Sequence, residues 1–351
     1  VSRKDALIVI PNYNGEARLA ECLASVLAQP GLSFDVVLVD NASQDGSLEL
    51  LRRNFPSVRV LANSENLGFG TALNQGVRAA AAGAYGLYVF LNNDTQVEPG
   101  WLAGLVEAMR REPRMGICNS LVVNRANGLI DSAGGDLINL YLGILGGHAA
   151  EEDPALLGAE PFEVFYADAC SMAIRPELFS ELGGFEQGYF MYYEEVELCW
   201  RARLLGASIY CAPASRVLHA KGSTPKTKAL SLRILGGMDR NLVATYLRML
   251  GPARLAWVLP VLLASRLASS LIYLPVSPRA FWARLGGLAQ ALAGLPANLR
   301  RRRQVQAARR VSDRALLASA GPGIYSLRPI FGLILYRIQD IRDWYRGRGR
   351  R

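Results

Sequence analysis

No C-x-x-C pair occurs in this 351-residue chain, and its five cysteines, Cys22, Cys118, Cys170, Cys199 and Cys211, are odd in number and scattered. That argues against a zinc site or a disulfide framework and for reduced thiols in the cytosol. A leader-like run is also missing. The charged start "VSRKD" leads into only five apolar residues before Asn12, so no signal peptide is expected. The stretch "ENLGFGTALNQG" lacks the third glycine that a dinucleotide fingerprint would place at Leu73, which removes that reading. Basic excess is absent from most of the chain. The first 299 residues carry 25 basic and 27 acidic groups, whereas residues 300–351 hold 14 Arg and 3 Asp, so the net charge of +9 belongs to the tail. A nucleic-acid reading of the whole chain thereby loses its main support.

What is present is ordinary globular material, 51% hydrophobic and 20% charged, long enough for one large domain plus an appendage. Two periodicities alternate over the first 125 residues. "ALIVI" (6–10), "FDVVLVD" (34–40), "VRVLAN" (58–63) and "YGLYVFLN" (85–92) are short apolar runs of strand type. Between and after them lie the helix-period segments "EARLAECLASVLAQ", "SLELLRRNF", "GTALNQGVRAAAA" and "PGWLAGLVEAMRRE". The order predicts an α/β domain with a mainly parallel sheet and helices on both faces. Polar residues gather at each strand's carboxyl end: Asn12 and Asn14, Asp40 and Asn41, Asn63, and Asn92 to Asp94. In open α/β sheets that edge is where ligands bind.

Residues 126–162 read as loop and short elements. "FEVFYADACSMAI" then predicts a strand, "RPELFSELGGF" a helix stopped by Gly183 and Gly184, "EEVELCWRARLLG" a second helix, and "SIYCAPASRVLH" a strand ending at His219, one of only two histidines. Past residue 228 the character changes, so the expected division is 1–228 and 229–351. Leu255 to Val276 is long enough to cross a bilayer. Its central Arg266 and its prolines Pro260 and Pro275 favour an interfacial or re-entrant helical element instead. The closing "RPIFGLILYRIQDIRDWYRGRGRR" reads as a basic amphipathic helix of the membrane-surface kind.

Several clusters carry chemistry on their own terms. The amides of Pro11-Asn12-Tyr13-Asn14 can bond a pyrimidine and ribose while Tyr13 offers a ring face; a Pro-Asn-Gly turn is the alternative. Asp40 puts a carboxylate at a strand end, where a base N–H or a ribose hydroxyl can be bound. Asn41 to Asp45 equally suits the cap of the next helix. Glu194 and Glu195 sit in a helix's first turn, where the dipole favours carboxylates.

In order, "VIPNYNG", "VLVDNASQDGS", "NLGFGTALNQG", "FLNNDT", "GGFEQGYFMYYEEVELCWR" and "VLHAKGS" resemble the family 2 glycosyltransferases of GT-A fold over residues 5–225, most of all their rhamnosyltransferase-like branch. The resemblance implies a nucleotide-sugar donor site formed by Pro11, Asn12, Tyr13, Asn14, Asp40, Asn41, Asn66, Gly68, Asn74, Asn92 and Asn93. Asp40 would contact the base, and Gly68 and Gly70 would let the backbone approach the sugar-phosphate. It implies a divalent metal, Mg²⁺ or Mn²⁺, on Asp94 and His219. Where the family usually has D-x-D, this chain has Asn92-Asn93-Asp94, so the first carboxylate is an amide. Glu195 takes the place of the general base, commonly an Asp, with Glu197 the alternative. Glu194, Asp168, Trp200 and Arg201 are placed in the acceptor site or pocket, Asp168 also as a turn cap.

The expectation is then an inverting transfer of a sugar, with dTDP-rhamnose the first choice of donor and UDP-hexoses next. The acceptor would be a lipid-linked or polysaccharide glycan, and the enzyme peripheral at the cytoplasmic face of the membrane, with homodimers possible through the C-terminal helices and no nucleic-acid partner. Two rivals stand beside it: a degenerate nucleotide-sugar-binding scaffold, and an arginine tail that binds nucleic acid.

Overall fold

The computed structural model describes residues 3–80, 84–138, 143–146, 149–220, 228–275 and 277–318. The basic amphipathic helix expected at the end of the chain, and the residues after Ala220 in "VLHAKGS", lie outside them. The first half runs β1 (Lys4–Asn12), α1 (Glu16–Leu27), β2 (Phe34–Asp40), α2 (Ser47–Asn54), β3 (Arg59–Ala62), α3 (Phe69–Arg78), β4 (Tyr85–Leu91), β5 (Thr95–Val97) and α4 (Trp101–Arg111). There follow β6 (Met115–Asn124), β7 (Ile130–Ser132), β8 (Gly135–Ile138), β9 (Gly143–Gly146), β10 (Phe162–Glu163), β11 (Ser171–Ile174), α5 (Pro176–Leu182), α6 (Glu194–Leu204) and β12 (Ser208–His219). Five helices close the described chain: α7 (Lys228–Met249), α8 (Pro252–Leu271), α9 (Pro278–Ala293), α10 (Leu295–Ala308) and α11 (Asp313–Ala318).

The main sheet has the order β10-β12-β6-β11-β4-β1-β2-β3. β1 pairs in parallel with β2 and β4, β2 with β3, and β6 with β12; β11 enters antiparallel between β4 and β6. Because side chains alternate along a strand, β1 feeds two cores at once. Leu7 and Val9 pack with Leu73 of α3, Phe179 of α5 and Leu198 of α6. Ala6, Ile8 and Ile10 pack with Leu19 and Leu23 of α1 and Trp101 of α4. Each such aliphatic side chain, once buried, contributes about 1.5–3 kcal/mol, so an unbroken apolar run at the sheet's centre is what this layering requires.

The run "FEVFYADACSMAI", expected as one strand, is two. Only Phe162–Glu163 and Ser171–Ile174 pair in the sheet. The intervening chain is a buried loop whose Tyr166 bridges Gly135 and whose Ala167 N–H points at the Cys199 sulfur, 3.4 Å away. Apolar composition reported burial here rather than strand geometry.

Residues beyond 228 share the core of the N-terminal half. Leu242, Tyr246 and Met249 of α7 belong to the same apolar cluster as Leu198 and Trp200 of α6. α7 in turn crosses α9 at Gly236 and Gly287, where a Cβ on Gly287 would lie 2.0 Å from the Gly236 carbonyl oxygen. Backbone cannot yield as a flexible side chain does. Gly287→Leu is therefore expected to force the helices apart and destabilise the fold by about 1–3 kcal/mol, read as a lower urea midpoint.

Candidate active site

The carboxyl ends of β1, β2 and β4 meet in one hydrogen-bonded chain. Asn93 Nδ2 donates to Asn12 Oδ1 at 2.6 Å, and Asn12 Nδ2 donates to Asp40 Oδ1 at 2.8 Å. Asp40 also accepts from the Ser43 N–H at 2.9 Å and the Ser43 hydroxyl at 2.6 Å. All three members, Asn12, Asp40 and Asn93, are buried. At the sheet edge they form a floor that fixes the β2 turn, with the Asp40 carboxylate accepting from Asn12 and Ser43. Asn14, at φ 52°, takes the Ser43 hydroxyl with its own N–H and offers Oδ1 to Gln44 N–H. Pro11 is buried, and Tyr13 stays half-exposed above this floor.

Gly68 has φ 89°, and a Cβ there would sit 2.3 Å from the Phe190 carbonyl oxygen, which accepts from the Phe69 N–H at 2.9 Å. The missing side chain lets α3 dock on the segment before α6. Asn66 Oδ1 accepts from Gly68 N–H, and Asn41 Nδ2 donates to Gly68 O while its Oδ1 accepts from Asn63. Asn74 is likewise turned inward, gripping the Phe185 N–H and C=O at 2.9 and 2.8 Å. It locks the Gly-Gly-Phe turn to α3 and does not face the edge.

α6 opens with the acidic pair. Its first turn follows two successive left-handed residues, Tyr192 (φ 67°) and Tyr193 (φ 71°), a conformation that costs non-glycine residues of order 1–3 kcal/mol each. Burial pushes the Glu195 carboxyl up to about 7, against the pull of the helix-start N–H groups and with the Asp168 charge adding to the rise. Burial likewise pushes Glu194 well above the carboxylate range, with Glu195 beside it. Glu194 is 4% exposed and its Oε2 has no hydrogen-bond partner. Asp168 Oδ1 caps the turn at Cys170 N–H, at 2.8 Å. Glu197, the alternative base, is excluded: it is fully buried and bidentate to Arg201 at 2.6 to 2.9 Å. Arg201 continues to the Leu182 and Gly184 carbonyls and so braces the same Gly-Gly turn. Trp200, expected near the pocket, is in the core, edge-on to Phe165 and Tyr246 at 5.4 and 5.3 Å.

Asp94 and His219 are brought together by the β5–β12 pairing, which sets His219 opposite Thr95. His219 Nε2 lies 3.4 Å from Asp94 Oδ1, and Nδ1 lies 2.9 Å from Asp131 Oδ2. Burial lowers the imidazole pKa, but the two carboxylates overcome it and hold it at about 9. Among the described residues no group of three or more His, Cys, Asp or Glu side chains is arranged as a complete metal cage. The donor set nevertheless suits a hard cation shared with a phosphate ligand: Asp94 supplies a carboxylate, and Asn92 Oδ1 is a buried acceptor without a donor.

Two residues escaped the sequence reading. Asp131 lies in a stretch read as loop, with no neighbouring motif. Asn241, fully buried on α7, donates from Nδ2 to the Met191 and Tyr192 carbonyls at 3.3 and 2.9 Å, while its own carbonyl accepts from the Tyr189 hydroxyl at 3.0 Å. An amide inside an apolar helical period was the only signal. Asn241→Ala removes both hydrogen bonds to this turn at a cost of about 1–3 kcal/mol. The expected result is a lower melting temperature together with faster hydrogen exchange confined to residues 189–195.

Comparison with known proteins agrees with this geometry. The model of glycosyl transferase family 2 matches residues 7–182. An N-acetylglucosaminyl-diphospho-decaprenol L-rhamnosyltransferase of Mycobacterium tuberculosis is 30% identical over 234 residues, covering 61% of this chain and 75% of that protein. Among solved structures, GalNAc-T7 with UDP, GalNAc and Mn²⁺ superposes with a TM-score of 0.55 at 19% identity, covering 69% of this chain and 47% of that one. TarS 1-349 of S. aureus superposes with a TM-score of 0.52 at 17% identity, covering 82% and 80%. With the α/β sheet, the edge clusters and the acidic helix start in their places, the chain belongs to glycosyl transferase family 2 and is a glycosyltransferase of GT-A fold, similar to rhamnosyltransferases.

Proposed function

We propose that the protein transfers a deoxyhexose, rhamnose by first choice, from a pyrimidine nucleoside-diphosphate donor to a lipid-linked glycan acceptor in cell-envelope synthesis. The rhamnosyltransferase relative, whose name gives a decaprenol-linked acceptor, supports this choice of sugar and acceptor. The observation that carries the chemistry is Glu195, held at the start of α6 with its carboxyl near 7, on the same sheet edge as Asp94 and His219.

In this reading Tyr13 stacks on the base above the Asn12–Asp40 floor, and thymidine and uridine diphosphates both suit a pyrimidine site. Asp94 and His219, with the Asn92 carbonyl, would hold Mg²⁺ or Mn²⁺, which neutralises charge on the leaving diphosphate. Glu195 takes the proton from the acceptor hydroxyl as that oxygen bonds to the anomeric carbon. The bond from that carbon to the diphosphate oxygen breaks on the opposite face, and the nucleoside diphosphate leaves with the electron pair. One displacement inverts the anomeric configuration. Burial and the neighbouring Glu195 charge both push the Glu194 carboxyl up, which disfavours a second negative charge beside the base. Asp168 is proposed to face the acceptor from the turn that it caps.

Four outcomes are expected. Glu195→Gln should bind donor within about twofold of wild type and lose at least about 10²-fold in transfer rate. The same variant should be more stable than wild type above pH 7. The folded-state pKa is raised, so the native carboxyl binds more protons than the unfolded one between its usual range near 4.5 and 7, and its contribution to stability falls across that window. Wild-type kcat/KM should rise as pH passes about 7 and then level, because only the ionised base works. NMR of the first-formed product should show the inverted anomer. Unchanged transfer by Glu195→Gln, or retained configuration, would remove Glu195 as the base.

A further inference from the structure

The outward face of α8 has the wrong polarity for water. Trp257, Val261, Leu267 and Leu271 are 49, 52, 49 and 58% exposed. The exposed positions between them carry only Ala, Pro and Ser, and none from 255 to 275 is charged. Positions 257, 261, 264, 268 and 271 follow the helical period, so the exposure is one apolar stripe. The charge at the helix's middle points the other way. Arg266 approaches Asp239 of α7 at 3.9 Å, and Asp239 is held by Arg284 of α9 at 2.7 Å. Ser270 is buried, and Ser269 accepts from Arg284 at 2.7 Å. Apolar exposure continues past the helix through Ile272 and Leu274 to Trp282, the last 66% exposed.

The surroundings of this stripe decide what covers it. Residues 252–312 contain ten arginines and no Asp or Glu. Arg279, Arg300 and Arg303 are exposed, whereas Arg310 is paired with Glu181 of α5 at 2.6 Å. Two copies meeting face to face would bring like charges together, whereas an anionic lipid surface complements both the apolar stripe and its cationic flanks. A crossing helix is disfavoured although twenty residues are long enough. The inner side of α8 packs through Leu259, Leu262 and Leu263 on Val243 of α7 and Leu288 of α9. Crossing would draw Asp239, Arg266 and Arg284 toward the hydrocarbon.

We propose that α8 lies flat on an anionic bilayer with its Trp257–Leu271 stripe immersed, as a monotopic docking face. α7, which packs against α8, also carries Asn241, so the bilayer is fixed relative to the turn that presents Glu195. An acceptor with a lipid tail would then meet the site from the surface in which it is already dissolved.

The test needs neither donor nor acceptor, so it stands apart from the proposed transfer reaction. The full chain is floated with phosphatidylcholine vesicles, with and without phosphatidylglycerol, beside a combined Trp257→Gln, Val261→Gln, Leu271→Gln variant. All three side chains are exposed, and an unchanged unfolding curve verifies the variant's fold. Wild type should float with the anionic vesicles, and the variant's partitioning should fall about tenfold or more. Brominated acyl chains should quench wild-type tryptophan fluorescence, and Trp257→Phe should lose part of that quenching. Flotation of the variant equal to wild type would overturn the proposal. So would light scattering that shows a lipid-free wild-type dimer which the same substitutions convert to monomer.

Discussion

Two left-handed tyrosines set the geometry on which the rest of the site depends. Tyr192 and Tyr193 turn the chain so that α6 begins with Glu194 and Glu195 at the sheet edge, and neither residue adopts that backbone without cost. The turn is held from three directions. Gly68 lets α3 reach the Phe190 carbonyl, and Asn241 of α7 takes the next two carbonyls. Arg248 pairs with Glu186 at 2.9 Å and donates to Asn298 of α10 at 3.0 Å. The glycine loop and the C-terminal helices therefore meet on seven residues of chain, 186–192. Residues 229–249 thus pack directly on the turn that precedes α6.

The electrostatics of the edge pull in two directions. The start of a helix favours carboxylates, and desolvation opposes them. At Glu195 desolvation wins, which leaves its carboxyl near neutrality and suits it to exchange a proton at working pH. At Glu197, in the same first turn, the answer is an ion pair with Arg201, which spends the charge on structure. His219 is a third case: it keeps its proton because Asp94 and Asp131 flank it, and a cation on Asp94 would compete with that proton.

The mainly parallel α/β sheet was legible because β1, β2 and β4 are buried on both faces and their apolar runs end abruptly in polar residues, whereas the antiparallel insertion of β11 between β4 and β6 was not. The edge clusters were legible as a place but not as roles. Asn12, Asp40, Asn74 and Asn93 sit where the reading put them, yet their side chains face inward, because clustering along the chain carries no information about which way an amide points. Trp200 sits in the core: at helical spacing an aromatic on α6 packs there by default, and Tyr246 of α7 completes its packing. Asn241 and Asp131 were invisible. Each acts through a contact set by tertiary packing, 49 and 88 residues away from its partner in sequence.

The account rests on the sheet edge being a nucleotide-sugar site completed by a cation. Calorimetric titration of the full chain with dTDP, UDP and GDP and their common sugars, each with Mn²⁺, Mg²⁺ or chelator, tests that claim most directly. Binding of one pyrimidine nucleotide sugar that disappears with chelator, and in Asp94→Ala, is the predicted result. Folded protein that binds none of them under any condition would contradict the account and favour a scaffold that has lost its donor site.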